Sequence, residues 1–569
     1  MRLKPLLNHV PSFKFVFLAY QLSARLSKSA DSPPSASNVR RLVLRLCVEH
    51  GLHALYPVQA LRAPPTGKSS RRSSQSSQSS GVGFTQATNN SRAHAAGDIV
   101  EKVKAIGELR ARVEAVELAC EAYAEWASFP LKSSKSGYLD SRGTVRKGPL
   151  PIKSSMRILT KVRDLPIPVT TFHLPVVASG RYDDFARLHH YEPTFDMAGG
   201  IHLPKIVVCV DSNGDRHKQL LKGDDDIRQD AVMEQAFELV NRLLARDEGG
   251  RRRNLKIRTY KVIPLQNSNG LIEFVANTAP LGNFLVGLYE QMAPGVQKRA
   301  REQLRIIEGK HKNHPDRRDA DKDKAFRKIL TETPPLLRYL FWQKHKVPSL
   351  WFDMRLNYSR SVATTSIIGH VVGLGDRHVS NILMDEARGE LVHIDLGIAF
   401  DQRLPIPELV PFRLTQNLVD GFGMSGVDGV FRRCCEETLR VLRERSSVIM
   451  TILGVFKHDP LQNWCAPCSL SFLDEPLPNA RAGVLARRAV SAEMAKRIQG
   501  SDDGDARALD ELPDDADRAL AIVRGKLDDR LSVQYTVNQL IQEATNPSNL
   551  ARIFSGASPL ALSLSLSLS

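Results

Sequence analysis

The chain has 569 residues, of which 42% are hydrophobic and 25% are charged, a composition typical of a soluble globular protein with room for two to four domains. Its formal charge of +17 favours an anionic partner such as a nucleotide, a nucleic acid or an acidic surface. Seven cysteines are too few for a disulfide framework, and no stretch reaches the roughly 20 apolar residues that a membrane-spanning helix requires.

The first 155 residues carry two helical regions separated by a region of low complexity. Residues 1–58 are predicted to be helical because apolar residues recur at the spacing of one helix face, at Val39, Leu42, Val43 and Leu46. Residues 59–97 are rich in Ser, Gly and Pro, so we expect a flexible linker. Residues 98–155 should hold one long amphipathic helix, Asp98–Ala127, and a basic loop.

From residue 172 to residue 276 the pattern changes to strands around a helix. The expected elements are strands at Lys205–Val210 and Gln219–Lys222, a helix at Ile227–Arg246, and strands at Leu255–Leu265 and Leu271–Ala276. Residues 277–470 are predicted to be mainly helical, apart from a hairpin of two strands, Ile382–Met384 and Leu391–Ile394. The rest divides into an irregular charged linker (471–522), a helical block (523–555) and a low-complexity tail (556–569).

One segment, Gly373–Phe400, places three polar side chains where they suit catalysis. A predicted helix, Ser361–Val372, leads into a glycine-rich loop, and Asp376 follows that loop. Asn381 comes five residues later, at the start of the hairpin whose second strand ends on Asp395. The pattern therefore predicts one Asp on a loop, and an Asn and a second Asp at adjacent ends of a hairpin.

Phosphoryl transfer needs this combination, because the transferred group is highly charged and catalysis consists mostly of positioning and charge neutralisation. One carboxylate can accept the proton of the attacking hydroxyl, and a second carboxylate with an amide oxygen can hold Mg²⁺ on the phosphates. The Asp-x4-Asn spacing is also that of the protein-kinase catalytic loop. An isolated Asp-Arg-His is usually a surface loop and an isolated Asp-Leu-Gly a turn, but their order on one hairpin favours catalysis.

Upstream residues could supply nucleotide binding. Lys222, at a strand end, can reach phosphates, and Asp225 or Asp230 near the following helix can hold it in place. The same acids could instead cap the helix N-terminus, and both roles can hold at once. Gly199 and Gly200 could cover the phosphates, although two glycines alone do not specify this role. The strand end Glu273-Phe274-Val275 suits an adenine-binding hinge, while in isolation it would be interpreted as core.

Several segments together resemble the kinase domain of the phosphatidylinositol-3-kinase-related protein kinases. They are AGGIHLPKIVVCVDSNGD (198–215), KGDDDIRQD (222–230), SVATTSIIGHVVGLGDRHVSNIL (361–383) and LVHIDLGIAF (391–400). Within this family, SRSVATTSIIGH and GVDGVFRRCCEETL resemble the ataxia-telangiectasia mutated (ATM) branch. The resemblance implies an α+β, bilobal catalytic domain of the PI3/PI4-kinase type, with the end of a helical FAT solenoid before it and a short helical FATC block after it. Residues 531–554 are the part of the chain that resembles the FATC block.

The resemblance also implies roles for individual residues. Asp376 would be the catalytic Asp and His378 would stabilise the transferring phosphoryl group. Asn381 and Asp395 would bind Mg²⁺, or Mn²⁺ in its place. The ATP-binding residues would be Lys222 with Asp225 and Asp230, Gly199 and Gly200, and Glu273, Phe274 and Val275.

For the whole protein, the resemblance implies phosphorylation of Ser or Thr followed by Gln, a role in DNA-damage signalling and a nuclear location. Expected partners are substrates with Ser-Gln or Thr-Gln sites, a second copy in a dimer, and a DNA-end sensor complex, although most of the solenoid that would bind this complex is missing from the sequence. One alternative is a phosphoinositide kinase, but Arg403 is the only cation in 401–411 and it is opposed by Asp401 and Glu408. The other is a truncated, inactive scaffold with the kinase fold.

Overall fold

The computed structural model describes residues 9–27, 34–62, 82–133, 136–146, 148–199, 203–266, 269–310, 315–400, 410–457 and 515–554. The described residues form two compact units. The first unit lies within 9–235 and 260–276, and the second within 236–259, 277–457 and 515–554. Within the described ranges, no helix combines the length and the apolar character needed to cross a bilayer.

The first unit begins with helices. After a 3-10 helix at Ser12–Leu18, these are α1 (Ala19–Ala24), α2 (Pro34–Glu49), α3 (Gly51–Ala60), α4 (Val82–Lys104) and α5 (Gly107–Ala127), followed later by the short α6 (Arg157–Thr160). The helix predicted over Asp98–Ala127 is therefore two helices, because the chain breaks between Lys104 and Gly107.

Helix α4 corrects the expectation of a flexible linker over residues 59–97. The chain is helical from Val82, although residues 63–81 lie outside the described ranges. The second half of α4 is anchored by apolar side chains that are fully buried, namely Ala95, Ala96, Ile99, Val100 and Val103. Packing of this face outweighs the poor helix propensity of the Ser, Asn and Gly residues nearby, as is usual for helices in proteins.

The sheet of the first unit is antiparallel, with strand order β1-β3-β4-β5-β7-β6 and with β2 also paired to β3. The strands are β1 (Leu150–Pro151), β2 (Leu165–Pro168), β3 (Arg187–Met197), β4 (Lys205–Asp211), β5 (Arg216–Lys222), β6 (Val262–Pro264) and β7 (Gly270–Glu273). The two predicted strands Lys205–Val210 and Gln219–Lys222 are present and pair with each other.

The strands of this sheet differ from the prediction in two places, each for a physical reason. In β3, which was not predicted, the pairing register with β4 shifts twice, so Leu188, Tyr191 and Phe195 are buried without strict alternation. The predicted strand Leu255–Leu265 is reduced to β6. The backbone of Ile257 instead bonds the side-chain amide of Asn241, whose Oδ1 accepts from its N–H at 2.7 Å and whose Nδ2 donates to its C=O at 2.8 Å.

Aromatic packing joins α5 to the sheet within the first unit. Trp126 and Phe195 are both fully buried, and their rings meet edge to face with centroids 5.1 Å apart. The ammonium of Lys205, which is 4% exposed, donates to the carbonyl of Ala127 at 2.7 Å. The end of α5 is thereby fixed against β4.

The second unit is mainly helical, as predicted. In chain order, α7 (Arg228–Arg246) begins in the first unit and continues into the second from Ala236. It is followed by α8 (Glu248–Arg252), α9 (Leu281–Met292), α10 (Val296–Lys310), α11 (Pro315–Glu332), α12 (Leu337–Lys344), α13 (Pro348–Val371), α14 (Gln416–Asp420), α15 (Val430–Glu444), α16 (Ser446–Lys457), α17 (Asp515–Lys526), α18 (Val533–Thr545) and α19 (Pro547–Phe554). Strands β8 (Thr278–Pro280), β9 (Ile382–Asp385) and β10 (Leu391–His393) form a small antiparallel sheet in the order β10-β9-β8.

The last three helices pack against the body of the second unit. The guanidinium of Arg443 on α15 donates to the Leu531 carbonyl at 2.7 Å, and Arg327 on α11 donates to the Ser548 hydroxyl at 3.0 Å. Phe326, Leu550 and Ala551 form a small buried cluster between α11 and α19. Lys526, at the end of α17, donates to the carbonyl of His370 in the last turn of α13 at 2.9 Å.

Gly223, immediately after β5, packs directly against the end of α5. A Cβ atom at this position would lie 2.3 Å from the carbonyl oxygen of Ala127, so backbone would have to move to make room. We expect Gly223→Ala to destabilise the first unit by about 1–3 kcal/mol, the usual cost of overpacking. The measurement is the apparent melting temperature of the purified chain.

The matched control is Gly97→Ala on α4, where an added Cβ meets nothing within 4 Å. This change should leave the melting temperature unchanged or raise it slightly, because Ala favours a helix over Gly. Equal melting temperatures for the two variants would contradict the close approach of Gly223 to α5.

Candidate active site

The glycine-rich loop after α13 is tied to the chain that follows Asp395. The N–H of Gly375 donates to the carbonyl of Ile398 at 3.0 Å, and the N–H of Phe400 donates to the carbonyl of Val372 at 2.7 Å. Helix α13 ends at Val371, and almost every side chain in its second half is buried. The loop therefore starts from a rigid element and runs beside the segment that carries the second acid.

Asn381 connects the two parts of the predicted site. Its Nδ2 donates to the backbone carbonyl of Asp376 at 3.1 Å and lies 3.4 Å from the carboxylate Oδ2 of the same residue. Its backbone carbonyl accepts from the N–H of Ile394 at 3.0 Å, one residue before Asp395. Because the amide nitrogen is turned toward Asp376, the amide oxygen is the atom that remains for a cation.

His378 lies beside Asp376 with a defined orientation. Its Nδ1 accepts from the N–H of Ser380 at 3.2 Å, so the neutral imidazole carries its proton on Nε2. That Nε2 is 4.0 Å from Oδ2 of Asp376, and both side chains are 39% exposed. His378 therefore presents an N–H donor at an accessible point next to the carboxylate.

Both acids occupy backbone conformations that L-residues rarely adopt. The φ angle is 56° at Asp376 and 57° at Asp395, in the left-handed region. Strained conformations of this kind cluster at functional sites, where the surrounding structure holds a side chain in a required direction. This strain could not be recognised from the sequence, because neither position is a glycine.

The electrostatic surroundings of Asp376 adjust its basicity. Burial raises the pKa of its carboxyl to about 6, the Arg377 guanidinium opposes the rise, and the Asp395 carboxylate adds to it. The group is therefore mainly ionised at neutral pH, yet it is a stronger base than an ordinary Asp. Both properties suit a group that accepts a proton from a hydroxyl.

Arg377 was not singled out from the sequence, although it is the most buried charged residue of the loop. It is 7% exposed and donates to the carbonyls of Gly375 at 2.6 Å, Ile394 at 2.9 Å and Asp395 at 2.5 Å. The signal available in the sequence was a cation between Asp376 and His378 after the Gly-rich turn, a pattern that is also common in surface loops.

The oxygen donors Asn381 and Asp395 fit a hard divalent cation. No group of three or more His, Cys, Asp and Glu side chains among the described residues could hold a metal ion by itself. Mg²⁺ commonly takes one or two protein oxygens and completes its shell with water and substrate phosphates. The donor set thus fits Mg²⁺ bound together with a nucleotide, with Mn²⁺ as a substitute.

In the first unit, the residues predicted to bind nucleotide gather where β5 meets α7. Lys222 forms a 2.8 Å salt bridge with Asp225, and their side chains are 15% and 32% exposed. Asp226 accepts the N–H of Arg228 at 3.1 Å, so the helix start is capped by a different acid. Of the two roles left open for this acidic cluster, both occur, on neighbouring residues. Asp230 is buried in the first turn of α7.

The remaining predicted nucleotide contacts lie on strand ends of the same unit. Gly199 is exposed just after β3, where the N–H of Ala198 donates to the carbonyl of Pro204 at 2.9 Å; Gly200 lies outside the described residues. Glu273 ends β7, and its carboxylate accepts the N–H of Lys261 at 2.9 Å. Phe274 follows with the Lys218 ammonium 5.6 Å from its ring centroid, and Val275 is buried.

The segment predicted to bind the acceptor is described only in part. Residues 401–409, with Asp401, Arg403 and Glu408, lie outside the described ranges, as do the linker up to residue 514 and the tail from residue 555. The distinction between protein and lipid acceptors therefore depends on their sequence and on relatives.

Two family models match the chain. The phosphatidylinositol 3- and 4-kinase model matches residues 217–465, and the FATC domain model matches residues 530–559. Among curated proteins, serine/threonine-protein kinase tel1 of Emericella nidulans is 39% identical over 553 residues, and serine-protein kinase ATM of Sus scrofa is 35% identical over 570 residues. Each alignment covers 96% of this chain, which spans only 18% of the length of either relative.

Comparison with solved structures also finds Tel1 kinases. The FAT and kinase domain of CtTel1 matches with a TM-score of 0.77 and 34% identity, over 98% of this chain and 34% of that chain. The complete CtTel1 dimer with C2 symmetry matches equally well, over 98% of this chain and 18% of that chain. The predicted mixed helix and sheet fold of the PI3/PI4-kinase type, with FAT helices and a FATC block, is thereby confirmed. The chain thus contains a phosphatidylinositol 3- and 4-kinase domain and a FATC domain, and over most of its length it is similar to the Tel1 and ATM kinases.

Proposed function

We propose that this chain is a serine/threonine protein kinase that transfers the γ-phosphoryl group of ATP to a Ser or Thr followed by Gln. The observation that carries the proposal is the arrangement of Asp376, Asn381 and Asp395, with both acids in strained backbone conformations and Asn381 bonded to each side. The relatives named as serine/threonine kinases support the reaction class.

Each residue has a chemical task in this reaction. Asp376 accepts the proton of the attacking hydroxyl, and its raised pKa makes it a better base. His378 offers its Nε2 proton to an oxygen of the transferring phosphoryl group, where negative charge accumulates. Asn381 and Asp395 would hold Mg²⁺, which neutralises phosphate charge when bound.

The residues of the first unit supply the complementary task of nucleotide binding. Lys222 carries the positive charge for the phosphates, and its salt bridge with Asp225 restricts the long side chain to one direction. Asp230 adds a second acid nearby in the chain, and the strand end Glu273-Phe274-Val275 offers an aromatic ring and backbone groups for adenine. Together the two sets of residues supply a base, metal ligands and a cation for the phosphates, the components that phosphoryl transfer uses. Their presence disfavours an inactive scaffold.

The acceptor is proposed to be protein rather than lipid. A phosphoinositide carries several negative charges, so a lipid kinase needs cations in the segment that binds it. Residues 401–411 contain a single cation and two acids. The matching relatives are named as protein kinases, which favours the same acceptor class here.

The proposal includes a cellular role, which the family resemblance of the sequence motifs implies. We place the chain in DNA double-strand-break signalling, telomere maintenance and checkpoint control, in the nucleus. Solved Tel1 structures are dimers, so a second copy of the chain is a proposed partner, together with a DNA-end sensor complex.

The general-base role predicts a specific kinetic defect. Asp376→Asn keeps the size of the side chain and removes its basicity, so kcat should fall by about 10²- to 10⁴-fold while KM for ATP changes little. Steady-state assays on a purified Ser-Gln peptide measure both constants. Asp353→Asn, at an exposed position on α13, is the control and should match wild type. A folded Asp376→Asn variant with wild-type kcat would refute the role.

The metal role of Asp395 predicts a different defect. Asp395→Asn should raise the Mg²⁺ concentration that gives half-maximal rate by at least about tenfold, the range in which even outer partners of metal ligands act. The measurement is a Mg²⁺ titration at saturating ATP. Asp428→Asn, whose side chain is 75% exposed in wild type, serves as control. An unchanged Mg²⁺ requirement in the Asp395 variant would remove Asp395 from the metal site.

The proposed acceptor can be tested with three substrates. A Ser-Gln peptide should be phosphorylated faster than the same peptide with Ala in place of Gln, and both faster than phosphoinositide vesicles. The Asp376→Asn enzyme corrects for contaminating kinases. Equal rates on the two peptides would reject the Gln preference, and faster phosphorylation of the vesicles would reject a protein acceptor.

A further inference from the structure

Arg377 spans the two segments that carry the catalytic acids. Its Nε donates to the carbonyl of Gly375 at 2.6 Å, directly before Asp376. Its Nη1 and Nη2 donate to the carbonyls of Ile394 at 2.9 Å and Asp395 at 2.5 Å. One guanidinium therefore bonds the backbone on the amino side of the first acid and at the second acid itself.

The geometry of these bonds requires an arginine. The three acceptors are reached by three different nitrogen atoms of a planar, rigid group. A lysine ammonium concentrates its donors on one atom and cannot reach three separated carbonyls together. The side chain is 7% exposed, so water competes little for these bonds.

The bonds also explain how the two strained residues Asp376 and Asp395 keep their conformations. Asp376 and Asp395 have φ angles of 56° and 57°, and a strained conformation survives only where surrounding contacts over-determine it. Arg377 holds a carbonyl next to each of these residues.

We propose that Arg377 is a positioning residue that sets the spacing between the general base Asp376 and the metal ligand Asp395. This inference rests on the proposed kinase function. Arg377 acts through the backbone, and all three bonds described above end on carbonyl oxygens. Its loss should therefore impair the coupling between metal and nucleotide more than nucleotide binding as such.

The test compares Arg377→Lys and Arg377→Gln with wild type in two measurements. Calorimetry gives the affinity for ATP without metal and with Mg²⁺, and kinetics give kcat and KM for ATP. In both variants the affinity for metal-free ATP should stay within about twofold of wild type. The gain in affinity on adding Mg²⁺ should fall by about 10- to 100-fold, the range typical for residues that orient metal ligands, and kcat should fall by a similar factor.

Arg338→Lys is the matched control. Arg338 belongs to the same unit, but its guanidinium bonds the buried Asp420 carboxylate at 2.5 Å rather than either catalytic segment. This variant should lose some thermal stability and keep the full Mg²⁺-dependent gain in ATP affinity. Melting curves and circular dichroism check that each variant is folded.

The outcomes separate the two levels of the proposal. If wild type shows neither Mg²⁺-dependent ATP binding nor peptide phosphorylation, the kinase function fails. If wild type shows both and Arg377→Lys keeps the full Mg²⁺ effect, only the positioning role is overturned. It is also overturned if neither Arg377 variant folds while Arg338→Lys does, because Arg377 would then serve the fold in general.

Discussion

The presentation of two carboxylates, Asp376 and Asp395, from strained backbone is the constraint on which the candidate site depends. Burial raises the pKa of Asp376 to about 6, the Arg377 guanidinium opposes this rise, and the Asp395 carboxylate adds to it. A divalent cation suits such a pair, but the protein must hold the two carboxylates in place when no cation is bound. The left-handed φ angles at both residues show that the backbone is strained where it presents these acids.

The elements around the pair hold this strain. The loop begins at the end of helix α13, whose second half is buried. Backbone hydrogen bonds from Gly375 to Ile398 and from Phe400 to Val372 pair the loop with the chain after Asp395. The C-terminal helices reinforce the base of this arrangement, because Lys526 binds the His370 carbonyl at the end of α13. Helix α17, which precedes the FATC match at residues 530–559, is therefore connected through the end of α13 to the loop that carries Asp376.

In the first unit, the side chain that must be held in a defined position is the single cation Lys222. The salt bridge with Asp225 orients the side chain of Lys222. The backbone next to Lys222 is positioned by the close contact of Gly223 with the end of α5. Trp126 and Lys205 fix the end of α5 against β3 and β4. Helix α5 thus forms part of the support for Lys222, which is proposed to bind the phosphates of the nucleotide.

Local patterns in the sequence were sufficient where they carry their own physical signature. The Asp-x4-Asn loop, the β4–β5 hairpin and the helical second unit could all be predicted, because turn residues and apolar periodicity act over a few residues. The roles assigned to Asp376, Asn381 and Asp395 remain predictions. Only the tertiary structure decided the rest. Helix α4 is stabilised by burial of one face, β3 is disguised by its bulges, and Arg377 acquires three carbonyls from segments up to eighteen residues away. These features depend on contacts between distant parts of the chain, which no local pattern records.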